Sequence, residues 1–157
     1  MSQKRVRVLV ALGIGCAMIH FAERVLGVRV ELFYGLKTFN FNWMLTIFVV
    51  PFITGWVIAW VYGMGGKMVA HFPPLIVNGI SYFQTVYMTG VPEGAQLNPI
   101  GWWGLYVILT MEFCAFGAFL GELHLQKVVS KRRRERQAQA VAQEGAESST
   151  TEGAAHD

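Results

Sequence analysis

A carboxylate stands inside an apolar stretch. Glu112 interrupts ILTMEFCAFGAFLGELH, which runs from Ile108 to His124. A carboxyl group held away from water has two uses. It can serve as a hydrogen-bonding group between helices, or it can titrate and hand on a proton or cation. The other residues able to do chemistry are sparse. His20, His71 and His124 show no His-x-x-x-His spacing, and Cys16 and Cys114 show no Cys-x-x-Cys spacing. No metal site is read from them, and the two cysteines read as small apolar packing residues. Only His71 and His124 fall near one membrane face. They are the pair to consider for haem b ligation, but both sit at segment ends where water reaches, so no cofactor is predicted. GMGGKM, from Gly63 to Met68, has Val61 and Met68 where a phosphate loop needs Gly and Ser or Thr. It reads as a turn at the membrane surface. No nucleophile–base–orienter set is present, and the chain is not predicted to be an enzyme.

Depth gives Glu112 its company. At about 1.5 Å per residue, the ten positions from Trp102 put it about 15 Å in, the midplane of a hydrocarbon core about 30 Å thick. The same count from Trp43, Pro74 and Val6 reaches Thr54, Gln84 and Cys16. These four predict one intramembrane polar layer. Asn78, Ser81 and Thr85 share a helical stripe with Gln84 at its flank. In lipid that stripe must turn inward for partners. Cys114, Gly117, Ala118 and Gly121 make a small-residue face suited to close helix contact. Glu112 lies opposite, with Leu105, Ile108, Phe116 and Phe119. A helix with two such faces needs neighbours on both sides. Four helices are too few to supply them, so one face is expected to meet another membrane protein or another copy of the chain.

The elements that position these residues follow from composition. Hydrophobic residues make up 54% of the 157-residue chain and charged residues 15%, against about 25% charged in soluble domains. Between Thr38 and Gln126 the residues charged at neutral pH are Lys67, Glu93, Glu112 and Glu122. The pattern is that of an all-α membrane protein. Four apolar segments, at about 6–22, 43–62, 74–89 and 100–121, predict a four-helix transmembrane bundle within a domain spanning 1–125. Residues 126–157 form a basic and then disordered tail. Pro51 should kink the second segment, and Pro73-Pro74 suits a helix start. The first segment lacks the small-x-small site of a cleaved signal peptide. VRVELFYGL, in the first connector, alternates like a strand, but one strand alone would be unstable.

Lys and Arg set the orientation. Lys127, Lys131, Arg132, Arg133, Arg134 and Arg136 follow the last segment, and Lys4, Arg5 and Arg7 precede the first. Both termini are therefore expected in the cytoplasm, with the tail cluster against anionic headgroups. The first connector, with Arg24, Arg29 and Lys37, fits this poorly, and three spans stay open beside four. The net charge of +3 is not a nucleic-acid footprint, because the basic residues flank apolar segments. The sequence points to a polytopic protein of the bacterial cytoplasmic (inner) membrane. It would be a subunit or assembly factor of a larger complex, or else an ion- or proton-conducting oligomer.

Overall fold

The structure, a computed structural model, describes residues 3–153, without the side chains of 133, 134, 138 and 140–153. It is mostly helical, and three of its helices are long and apolar enough to cross a membrane. The first, α1, is Gln3–Leu26. It ends where Gly27 takes a positive φ of 65° and the Val28 N–H donates back to the Glu23 carbonyl at 3.1 Å. This Schellman-type stop needs a residue without a Cβ penalty.

The second crossing helix, Phe41–Tyr62, has three parts: α2 (Phe41–Met44), a π turn (Leu45–Val49) and α3 (Val50–Tyr62). Asn40 caps it, its side chain accepting from the Trp43 N–H at 2.8 Å. The kink expected at Pro51 takes the form of that π turn. Pro51 has no N–H to offer the carbonyl four residues back. The chain widens just ahead of it, with the Val50 N–H reaching the Leu45 carbonyl.

The segment expected at 74–89 is a broken element. It consists of α4 (Gly66–Ala70), α5 (Phe72–Gln84) and a second π turn (Thr85–Thr89). No part of it meets the length and hydropathy of a spanning helix. The break falls at His71, just before Pro73-Pro74, whose rings cannot sit inside a continuing helix. The His71 ring Nδ1 lies 2.8 Å from the Lys67 carbonyl oxygen. Glu122 anchors the start of α4, its Oε1 accepting from the Lys67 N–H at 3.0 Å. An orphan N–H of a helix end is thereby satisfied from another element.

The last helix, α6, is Ile100–Gly153. It divides between two compact units, 1–122 and 123–157. The tail expected to be disordered after Arg136 falls on the end of α6, up to Gly153, and on residues 154–157, which lie outside the described residues.

Ring contacts fix the directions of the helices. Trp43 meets Tyr106 with centroids 5.4 Å apart, Phe48 meets Phe113 at 4.8 Å, and Phe52 meets Phe116 at 6.1 Å. Partners advance together along both helices, so α6 runs parallel to the Phe41–Tyr62 helix. α1 runs antiparallel to it: the Trp43 end packs with Val28 and Val30, and the Ile58 end with Ala11 and Gly15. The helix between, α5, begins at depth, because Pro73 lies against Gly15 and Ile58. Two core clusters result. Ala11, Ile58, Ala59, Val69, Ala70, Cys114 and Ala118 form one, and Val28, Val30, Trp43 and Ile47 the other.

At the Trp43 end the two connectors join in a cap. Leu32–Phe33 (β1) pairs antiparallel with Gln96–Leu97 (β2), Leu32 opposite Leu97. Two residues a side would not hold alone. Asn98 reinforces them, its N–H donating to the Glu31 carbonyl and its Nδ2 to the Val30 carbonyl, both at 2.9 Å. The first connector, expected to carry no strand for want of a partner, does pair over two residues, and the partner comes from the last connector.

Candidate functional site

Two sites stand out: the exposed face of α6, and a polar cavity beneath the cap. On α6 the small-residue face points inward. A Cβ added at Gly117 would strike the backbone of Phe52, and one at Gly55 would strike that of Cys114. Cys114 and Ala118 are fully buried and Gly121 is buried against Ala59 and Trp56. Glycine permits this approach because any side chain would push the helices apart. The contact that the small face requires is thus made within the chain, by α3. The opposite face is largely exposed, Phe116 meeting Phe52 at its margin. Glu112 is exposed, as are Leu105, Ile108, Phe116 and Phe119. No hydrogen bond or ion pair reaches Glu112 among the described residues.

The expected midplane layer does not assemble. Thr54 is fully buried in α3, its hydroxyl unpartnered among the described residues. Cys16 is half-buried on α1, Glu112 faces outward, and Gln84 is exposed beside the cap. The count failed at Gln84 for a physical reason. Counting from Pro74 treats it as a surface position, whereas α5 starts level with Gly15 and Ile58. Ten residues on, the helix has reached the cap.

The polar stripe of α5 does turn inward. Asn78 and Thr85 are buried and Ser81 is half-buried. Their bonds differ from the helix-to-helix links expected. The Asn78 Nδ2 donates to the Pro74 carbonyl of its own helix at 2.8 Å. The Thr85 Oγ1 donates to Glu31 Oε1 at 3.0 Å, in the connector.

Thr85 opens onto a cavity of about 350 Å³. From α1 come His20, Glu23, Arg24 and Gly27, at the spacing of one helical face. The connector contributes Val28, Arg29, Glu31 and Tyr34. Ser81, Gln84, Thr85 and Thr89 close the α5 side. Glu31 is 3% exposed. Two acidic and two basic residues thus line one space. Yet among the described residues neither Arg24 nor Arg29 forms an ion pair within 4.0 Å or a hydrogen bond within 3.5 Å. Charges of both signs are held apart instead of neutralising one another.

Apart from the α5 stripe and Gln84, sequence reasoning missed this site. In the sequence Arg24 and Arg29 read only as connector charges. The usable signal was the i, i+3, i+4, i+7 spacing from His20 to Gly27 at the end of an apolar helix. The other expected sites fall as follows. Lys127, Lys131, Arg132 and Arg136 are exposed on the 123–157 unit, and the side chains of Arg133 and Arg134 lie outside the described set. His71 belongs to the first unit and His124 to the second. Comparison with known proteins finds no matching family, no matching curated protein and no matching solved structure.

Proposed function

We propose that this is a small polytopic membrane protein acting as a subunit or assembly factor of a larger membrane complex, docking through the Glu112 face of α6. The exposure of Glu112 within the apolar part of α6 carries the reading. A charged group at the bilayer centre costs about 2.5–3.5 kcal/mol on insertion scales. A neighbouring helix that offers a hydrogen-bond donor or a basic side chain offsets that cost, and flanking aromatic and aliphatic side chains supply packing.

Four crossings fit this reading. The Phe41–Tyr62 helix and α6 run parallel, which supports a return between them through the broken element α4–α5. Both termini then share one side, and the Lys and Arg of the two ends assign it to the cytoplasm. The membrane proposed is the bacterial cytoplasmic membrane, with the solvated tail and its basic cluster against anionic lipid.

Glu112→Gln and Glu112→Leu test the docking role. Gln keeps hydrogen bonding and removes titration. Leu removes both. Docking through a hydrogen bond predicts that the complex, sized in mild detergent, survives Gln and comes apart with Leu. A second reading rests on the same residue: a titratable carboxylate in a path between copies of the chain. In reconstituted vesicles it predicts pH-dependent cation or proton flux that the Gln variant abolishes.

A further inference from the structure

The cavity beneath the cap plays no part in the docking proposed for α6, and its chemistry points to a ligand of its own. Its lining sets two acidic residues, Glu23 and Glu31, against two basic ones, Arg24 and Arg29. Opposite charges packed only for stability would pair. Here the guanidinium groups are unpaired among the described residues, and Arg24 and Arg29 are exposed, whereas Glu31 is buried. The site therefore has a negative interior and a positive rim. Such a site favours a dipolar, net-neutral ligand that sends a cation inward and leaves an anion at the rim.

We propose that the cavity binds a primary ammonium linked to a phosphate, the pattern of a phosphoethanolamine group. The ammonium has three N–H donors. The carboxylate oxygens of Glu23 and Glu31, with the hydroxyl of Ser81, can accept them. A quaternary ammonium has none to give and is held by aromatic cages of Trp, Tyr and Phe, and of these three the described lining has Tyr34 alone. Arg24 and Arg29 suit the phosphate, because guanidinium matches its oxygens in a bidentate fork. Size agrees: about 350 Å³ lies at the small end of ligand sites, suited to a headgroup and too small for a whole lipid. Position favours a lipid as the source. The cavity lies at the ends of two apolar helices that expose Phe21 and Val25 on α1 and Phe83 on α5, side chains fit to meet acyl chains.

The full chain, delipidated in mild detergent, is titrated with short-chain phosphatidylethanolamine, short-chain phosphatidylcholine and free phosphoethanolamine. Bound species are counted by native mass spectrometry, and the thermal unfolding midpoint is followed in parallel. Phosphatidylethanolamine binds saturably at one site, at least tenfold more tightly than phosphatidylcholine. Glu31→Gln, which keeps an acceptor for Thr85, cuts that preference about tenfold. The exposed pair Arg24→Gln with Arg29→Gln weakens both lipids. Free phosphoethanolamine binding more weakly than the lipid assigns the source to the bilayer; equal binding keeps the headgroup chemistry and assigns it to water. Equal affinity for the two lipids, an undiminished preference in folded Glu31→Gln, or no saturable binding overturns the proposal.

Discussion

Thr85 and Glu31, 54 positions apart, are joined by a hydrogen bond of 3.0 Å, Thr85 Oγ1 donating to the Glu31 carboxylate. The bond ties the first connector to the end of α5. The Glu31 carbonyl also accepts from the Asn98 N–H, which brings in the last connector. One residue therefore links three separate parts of the cap and floors its cavity.

Thr85→Val keeps the shape of the side chain and removes the donor. Leaving a buried acceptor unsatisfied costs about 1–3 kcal/mol, so the thermal midpoint in detergent should fall. Thr85→Ser retains the hydroxyl and should stay close to wild type. If Val and Ser behave alike, the bond does not hold the cap.

Gly117→Ala should separate α6 from α3, because the added Cβ meets the backbone of Phe52. Backbone cannot swing aside as a side chain can. Overpacking of this kind costs about 1–3 kcal/mol. Gly13→Ala is the control, since nothing lies within 4 Å of its added Cβ. Unfolding in detergent should show a lower midpoint for the first and an unchanged or higher one for the second, alanine being the better helix former.

Glu122→Ala removes the acceptor of the Lys67 N–H and should loosen α4. A hydrogen bond to a charged group contributes about 1.5–3 kcal/mol, discounted here because the pair is exposed to solvent. Hydrogen exchange at the Lys67 amide should speed up in the variant while the Phe41–Tyr62 helix is unaffected. Unchanged exchange at that amide would count against the anchor.

The helices were legible in the sequence because burial in lipid leaves a long, uncharged trace. Phe41–Tyr62 and the apolar part of α6 could hardly be anything else. The two-faced character of α6 was legible too, since Gly117 and Gly121 repeat at helical spacing opposite Glu112. What the sequence hid depended on long-range pairing. Nothing local tells Leu32 that its partner is Leu97. The depth at which α5 starts is set by Pro73 packing on Gly15, a contact between distant positions. That hidden contact moved Gln84 from the middle of the bundle to the cap. The cavity escaped notice for the same reason: Glu23 and Glu31 gain meaning only when Thr85 is brought beside them.

The most direct test of the docking role uses a photo-crosslinking residue on the exposed face of α6, at position 108 or 116, with position 21 on α1 as control. Irradiation is done in native membranes. The account predicts a discrete protein adduct from 108 or 116, lost when Glu112→Leu is added and kept with Glu112→Gln, with no such adduct from 21. Crosslinks to lipid alone at 108 and 116, or a protein adduct indifferent to the residue at 112, would contradict it.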